Sequence, residues 1–192
     1  MKGVIHVGAH LGEEVPRYIA EGRSPIILFE PQSLEWDVPE GVTLVKAALS
    51  DYDGLLRLRV PHHLHDFRKK DTMSTSGLSL NYKNAIDIGW TPTFFSMSRA
   101  PVLRFDSWAD KNYIPGSCKT LNIDAQGMEL QVLEGFGGYI SEFDDMTIEC
   151  SSPALYDGGA PAETVIAFLV ANGFEAMSPI LRHGDIKFRR RG

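Results

Sequence analysis

The sequence predicts an α/β protein of the doubly wound kind, with a mostly parallel sheet that ends in a C-terminal antiparallel pair. Three observations carry that expectation. An apolar run, Val4-Ile5-His6-Val7, leads into Gly8-Ala9-His10-Leu11-Gly12 and then into a helical stretch from Glu13 to Gly22. A second run, Pro25-Ile26-Ile27-Leu28-Phe29, ends in the carboxylate of Glu30, about 20 residues after the loop, where nucleotide-binding folds hold ribose hydroxyls. A third, Lys119-Thr120-Leu121-Asn122-Ile123, ends in Asp124 and precedes a helix that starts near Gly127.

Taken in order, the four β-favouring residues at Val4–Val7 suit a strand buried on both faces. Gly8 and Gly12 lack a Cβ, so the backbone there can turn sharply and approach a ligand. An ordinary βα turn uses such glycines too, and it is Glu30 that points to a nucleotide. Val15, Tyr18 and Ile19 recur at helical spacing. Pro16 fits the first turn, where an N–H has no partner, and Gly22 suits the C-terminal cap. The connection from Pro31 to Gly41 is shorter than the usual parallel crossover of about a dozen residues, leaving room for one helical turn near Ser33–Trp36. A third strand is expected over Val42–Leu49, a turn at Ser50-Asp51-Tyr52-Asp53-Gly54, and an antiparallel strand over Leu55–Val60.

Residues 61–101 read as the least regular part of the chain. They carry Pro61, His62, His63 and His65, then Thr72 to Gly77, then Trp90, Phe94 and Phe95. Two readings fit: a substrate lid, since function concentrates in loops on a rigid scaffold, or a variable surface excursion anchored by its aromatics. The histidines lack the spacing of a helical zinc pair and have no cysteine nearby, so no metal site is assigned.

Regular structure resumes at Val102-Leu103-Arg104-Phe105, a strand running into a helix capped near Asp106. Beyond Asp124, Leu130, Val132 and Leu133 form an apolar helix face, which Gly135, Gly137 and Gly138 end. Asp124 thus stands at the carboxyl end of a central strand, beside the crevice where open sheets bind ligands. An aspartate there also serves as a helix cap. The strand Asp145–Cys150 brings Glu149 to the same edge. A last helix, Ala162–Asn172, follows Pro161 and stops at Gly173. Phe174–Met177 and Ile186–Arg189 read as a terminal pair around His183-Gly184-Asp185.

Composition sets the bounds. The 192 residues suit one domain, and 43% hydrophobic with 23% charged residues is ordinary for a globular protein. A net charge of -6 speaks against duplex nucleic acid as a partner, and Arg189-Arg190-Arg191 reads as a solvated tail. Two cysteines, Cys118 and Cys150, are too few for a disulfide framework and fit a reducing, cytoplasmic setting. The N-terminus lacks the pattern of a signal peptide, and no run of about 18 apolar residues offers a membrane span.

Three blocks together resemble the FkbM family of class I S-adenosylmethionine-dependent methyltransferases. They are Ile5-His6-Val7-Gly8-Ala9-His10-Leu11-Gly12, Phe29-Glu30-Pro31, and Ile123-Asp124-Ala125-Gln126-Gly127-Met128-Glu129-Leu130 running on to Leu133-Glu134-Gly135. The segments Ala48-Leu49-Ser50-Asp51, Asp53-Gly54 and Arg104-Phe105-Asp106-Ser107-Trp108 match as well. The likeness runs from Val4 to Phe188, with 61–101 matching poorly. It implies a seven-stranded Rossmann-like methyltransferase sheet with a C-terminal antiparallel hairpin, and S-adenosylmethionine as cofactor.

By position, the resemblance assigns Gly8, Ala9, His10 and Gly12 to the methionine part of the cofactor. Glu30, followed by Pro31, would hold both ribose hydroxyls as a two-oxygen acceptor. Ala48, Leu49 and Asp51 would edge the adenine, and Asp124 would face the reacting end. The family usually carries aspartate where this chain has His6, and asparagine where it has His10. A neutral imidazole balances the cofactor's ammonium poorly, so Asp124 is expected to supply that counter-charge.

The chemistry implied is in-line methyl transfer, for which the protein supplies alignment and a dry pocket. The resemblance favours oxygen methylation of a small molecule or saccharide. A hydroxyl acceptor needs a base, with His10, Asp124 or a histidine of 62–65 as candidates. Two other classes stand beside this one. An NAD-type oxidoreductase would need Gly-x-Gly-x-x-Gly for its pyrophosphate, where this loop is Gly-x-x-x-Gly. A cofactor-binding module without turnover is suggested by His6.

Overall fold

The computed structural model describes residues 2–63, 66–70, 75–87, 94–180 and 182–192, and at 62–63, 66–70 and 94 the backbone alone. Strand β1 (Gly3–Val7) is followed by α1 (Val15–Ala20), β2 (Ile26–Phe29), β3 (Val42–Val45), β4 (Ala48–Leu49) and β5 (Gly54–His63). Next come β6 (Asp66–Lys70), β7 (Ser79–Leu80), α2 (Tyr82–Asp87), β8 (Phe94–Leu103), α3 (Phe105–Asn112), β9 (Cys118–Ile123) and α4 (Glu129–Gly135). A 3₁₀ turn at Gly137–Glu142 leads into β10 (Asp145–Ser151), then β11 (Tyr156–Asp157), α5 (Ala162–Ala171), β12 (Phe174–Ala176) and β13 (His183–Arg190).

The main sheet has seven strands in the order β12-β13-β10-β9-β1-β2-β3. Strands β3, β2, β1, β9 and β10 are parallel, while β13 and β12 run antiparallel at one edge. The chain leaves β1 towards β2 and β3 on one side and returns to β9 on the other. That reversal opens a crevice at the carboxyl ends of β1, β2 and β9, the place where such sheets take ligands.

Alternation along the strands sorts the faces. Ile5, Val7, Phe29, Leu121, Ile123 and Ile148 point into the main core, together with Val132, Val165 and Leu169 from α4 and α5. Phe105 of α3, fully buried, stacks on Phe136 with ring centroids 4.1 Å apart and meets Phe29 and Tyr113 edge-on. Aromatic pairs of these geometries add about 1 kcal/mol each to the area they bury. The opposite face is smaller: Val4, Ile26 and Leu28 pack against Val15 and Tyr18 of α1. Past α1 that face turns polar, with Asn122, Thr147 and Lys187 in register on β9, β10 and β13.

Several expectations change. The run 42–49 is two strands in two sheets: β3 borders the main sheet, and β4 joins β8, β5 and β6 in a second one. The break at Lys46–Ala47 carries the chain from one sheet to the other. The expected turn of helix at Ser33–Trp36 is absent; the connection is irregular, and Trp36 packs on the α1 core. The described residues of the 61–101 segment are more regular than their composition suggests. β5 and β8 form a long antiparallel ladder from Gly54–Val102 to His62–Phe94. Its inner residues Leu56, Leu58, Ala100 and Val102 build a core with Ala48 and Met128. Asp106 is not the cap of α3. Arg104 holds that position, and Asp106 sits in the first turn, accepting from the Ser107 amide at 2.7 Å and from the Arg104 guanidinium. His183-Gly184-Asp185 is strand rather than turn, pairing with Ser151, Cys150 and Glu149 of β10. Helix boundaries also move inward: α1 begins at Val15, and α4 begins at Glu129.

Candidate functional site

At the crevice lies a cleft of about 640 Å³, part of it open to solvent. It is lined by the ends of β1 (Val7, Gly8, His10), β2 (Phe29 to Gln32) and β4 (Ala48, Leu49). Leu56 and Leu58 of β5, with Thr75 and Gly77, close it from the second sheet, and Asp124, Ala125, Gln126 and Met128 form its far wall.

Glu30 is built into this wall as an acceptor. It is only 5% exposed, and each carboxylate oxygen accepts one backbone N–H: Oε2 from His10 at 2.9 Å and Oε1 from Gln32 at 2.8 Å. Each oxygen keeps a further lone pair, which suits two adjacent hydroxyls. Burial pushes its pKa up against the opposing pull of those two amides. The His10 backbone makes its bond from a left-handed conformation, φ 47°, and its ring Nδ1 lies 2.6 Å from Glu13 Oε1.

Gly8 explains why the two walls meet. Its φ is 78°, and a Cβ there would stand 1.8 Å from the carbonyl oxygen of Asp124. The glycine is therefore required by strand packing as much as by any ligand. Gly12 is also structural: with φ 70°, its Cβ position falls 2.3 Å from the Trp36 ring.

Beyond β9 the chain turns through Gln126 (φ 51°) and Gly127 (φ 97°). Buried Glu129 clamps this turn, its Oε1 accepting the N–H groups of Ala125 at 3.1 Å and Gly127 at 2.9 Å. Burial lifts Glu129 to about 7. Gln126 is a hub. Its Nε2 donates to Asp124 Oδ1 at 2.7 Å and to Glu149 Oε2 at 3.1 Å, and its Oε1 accepts from Tyr156 at 2.6 Å. Its carbonyl accepts from Ser76 Oγ at 2.6 Å, tying the turn to the second sheet. Burial first, and then the facing Glu149 carboxylate, raise Asp124 to about 8. Glu149 is raised as well, chiefly by burial.

Of the residues singled out from the sequence, Gly8, His10, Glu30, Pro31, Ala48, Leu49 and Asp124 line the cleft together. Ala9 does not, being packed in the α1 core. Gly12 lies under Trp36, and Asp51 is exposed beside Ser50, whose hydroxyl it accepts at 3.0 Å. His6 faces α1 instead of the cleft. Its Nδ1 sits 3.1 Å from the Tyr18 hydroxyl, which also takes a bond from Asn122, and burial drops it to about 4. Its partly buried ring is thus held by a side chain of α1, in surroundings that favour the neutral form. His65, Thr72, Met73, Ser74 and Trp90, and the side chains of His62, His63 and Phe94, lie outside the described residues. Among the described residues no three His, Cys, Asp or Glu side chains gather as a metal site, and no helix is long and apolar enough to cross a membrane.

The sequence reading missed Gln32, Leu56 and Leu58, named Thr75 and Gly77 only within the 61–101 segment read as a lid or a surface excursion, and gave no role to Gln126, Met128 or Glu129. Leu56 and Leu58 carried a usable signal, the alternation that puts i and i+2 on one face of a strand. Thr75 and Gly77 carried none, because only the fold of the second sheet brings them to the cleft.

The fold and the cleft define an α/β protein with a cleft at the carboxyl edge of a mostly parallel sheet, walled on one side by a second sheet. The family model for the methyltransferase FkbM domain matches residues 6–176, so the chain belongs to the FkbM methyltransferase family. No curated protein and no solved structure matches it.

Proposed function

We propose that the protein transfers a methyl group from S-adenosylmethionine to a hydroxyl of a small molecule or saccharide. One observation carries the reading most: Glu30 and Asp124 face a single cleft from the strands on either side of Gly8, within a methyltransferase domain. Glu30, braced by two amides, would hold the ribose. Ala48, Leu49, Leu56 and Leu58 offer the apolar wall an adenine needs. Gly8 and the His10 backbone border the space for the methionine part, and the Asp124–Glu149 pair, which shares one proton, keeps one net negative charge beside it for the ammonium. Bound there, the donor supplies an activated methyl on a cationic sulfur.

The chain's own work is then to orient, to exclude water and to take up the acceptor's proton. Asp124 stands in the cleft wall for that last task, and His10 is the second candidate. The suggestion of a module without turnover rested on His6, whose ring contacts Tyr18 of α1 and does not line the cleft. Two free, buried cysteines suit a reducing compartment such as the cytoplasm.

A thermal-shift series with S-adenosylmethionine, S-adenosylhomocysteine and NAD tests the cofactor, with stabilisation expected from the first two alone. Labelled-methyl transfer to a panel of saccharides and hydroxylated metabolites tests the reaction. Binding without transfer to any member would favour the module.

A further inference from the structure

Asp124 is accounted for on the cleft side only. On its other side it faces Glu149 within hydrogen-bonding reach, and the Gln126 amide donates to both carboxylates at once, at 2.7 and 3.1 Å. Both hydrogens of that amide are thereby spent on the pair. Two carboxyls so close cannot both ionise without strong repulsion, so they hold a proton between them. The chain of titratable groups continues. Glu149 Oε1 lies 3.6 Å from His183 Nε2, and the far nitrogen of that ring, Nδ1, lies 2.8 Å from Ser151 Oγ. Glu149 is 23% exposed and His183 36%, so the groups run from the cleft wall outward to water. The β10–β13 ladder sets this geometry, placing Ser151 opposite His183 and Glu149 opposite Asp185.

We propose that Asp124, Glu149 and His183 form a proton outlet, through which a proton taken up in the cleft reaches solvent on the far side of the sheet edge. The source of the proton rests on the methyltransferase reading. As the acceptor oxygen bonds to the methyl carbon, its O–H proton passes to a carboxylate oxygen of Asp124, and the carbon–sulfur electron pair stays on sulfur. Glu149 takes a proton from Asp124 and yields one to His183 Nε2 through a water bridging the 3.6 Å between them, and the imidazolium loses it to solvent. An imidazole suits the last place because its ring nitrogen can both take up a proton and give it away. His183 acts through Glu149 and is a positioning residue for the proton, with no contact to the cleft.

The other titratable and charged groups facing the path are Asp185 on β13, Glu129 on α4, and, across the groove that Asp124 also borders, His6 of β1 with Glu14 and Arg17 beside it. The three nearby carboxylates outnumber the one cation, which favours keeping a proton on the pair.

Nuclear magnetic resonance titration of the His183 ring in the free protein tests the path without any cofactor. Asp124→Asn leaves Glu149 to ionise alone, so the His183 midpoint rises. Glu149→Gln removes that charge, so the midpoint falls. A His183 midpoint that is unmoved by Asp124→Asn would overturn the proposal. Absence of any thermal shift with S-adenosylmethionine would instead count against the methyltransferase reading, and the free-protein titration would still decide the path.

Discussion

Gly8 and Asp124 meet backbone to backbone, so closely that a Cβ on the glycine would stand 1.8 Å from the aspartate's carbonyl oxygen. The amide of Asp124 donates to the Val7 carbonyl at 3.0 Å, one residue away. The position of the candidate acid is therefore set by the first strand's glycine, and loop and carboxylate behave as one unit.

Gly8→Ala must relieve both that clash and a left-handed φ. A destabilisation of roughly 3 kcal/mol or more is expected, measured as a lowered urea midpoint. Gly41→Ala is the control: it shares a positive φ, but nothing lies within 4 Å of its Cβ position. Its cost should stay near about 1 kcal/mol.

Glu30→Gln turns an amide N–H towards one of two backbone donors that now bond the carboxylate, and removes one acceptor for a ribose hydroxyl. Affinity for S-adenosylhomocysteine by calorimetry should fall at least about tenfold. Unchanged affinity would place the ribose elsewhere.

Stability should fall as the pH rises from 6.5 to 8. Asp124 and Glu129 have folded-state pKa values of about 8 and about 7, above their ordinary values of 3.8 and 4.5. The folded chain then binds more protons than the unfolded one, and that contribution is lost as pH rises through the folded values. Below pH 6.5 His6 acts the other way, since its folded value is about 4; its contribution falls away as the pH drops towards that value. The upper window isolates the carboxyls. In it, Asp124→Asn should flatten the dependence of the thermal midpoint on pH.

Gly77 borders the cleft where a Cβ would lie 2.6 Å from Met128 Sδ and 3.0 Å from Leu56 Cδ1. Both neighbours are flexible side-chain ends, so Gly77→Ala should push them aside instead of unfolding the chain. Repacking at this wall costs about 1 kcal/mol. Binding of S-adenosylhomocysteine should weaken by about fivefold, with little change in the urea midpoint.

The first loop, Glu30 and Asp124 were legible because each follows a short apolar run, and a parallel sheet puts the ends of such runs on one edge. Local patterns failed where a single stretch served two sheets. Val42 to Leu49 is uniformly strand-like, yet it breaks at Lys46–Ala47 because β4 pairs with β8, a partner about fifty residues away in the chain. The segment from 61 to 101 looked irregular because half of its ladder partners lie in the run before it. His183-Gly184-Asp185 has turn composition, but the register of β10 holds it extended.

What the sequence determined by itself is the order of strand, glycine and carboxylate, since backbone freedom and side-chain charge belong to each residue alone. What only the tertiary structure decided is company. Glu149 and His183 became neighbours of Asp124 through strand register, Leu56, Leu58 and Gly77 became a wall through a second sheet, and His6 left the cleft because alternation turned it towards α1. Proton sharing and pocket shape depend on distances between residues far apart in the chain, and those distances exist only once the sheet has formed.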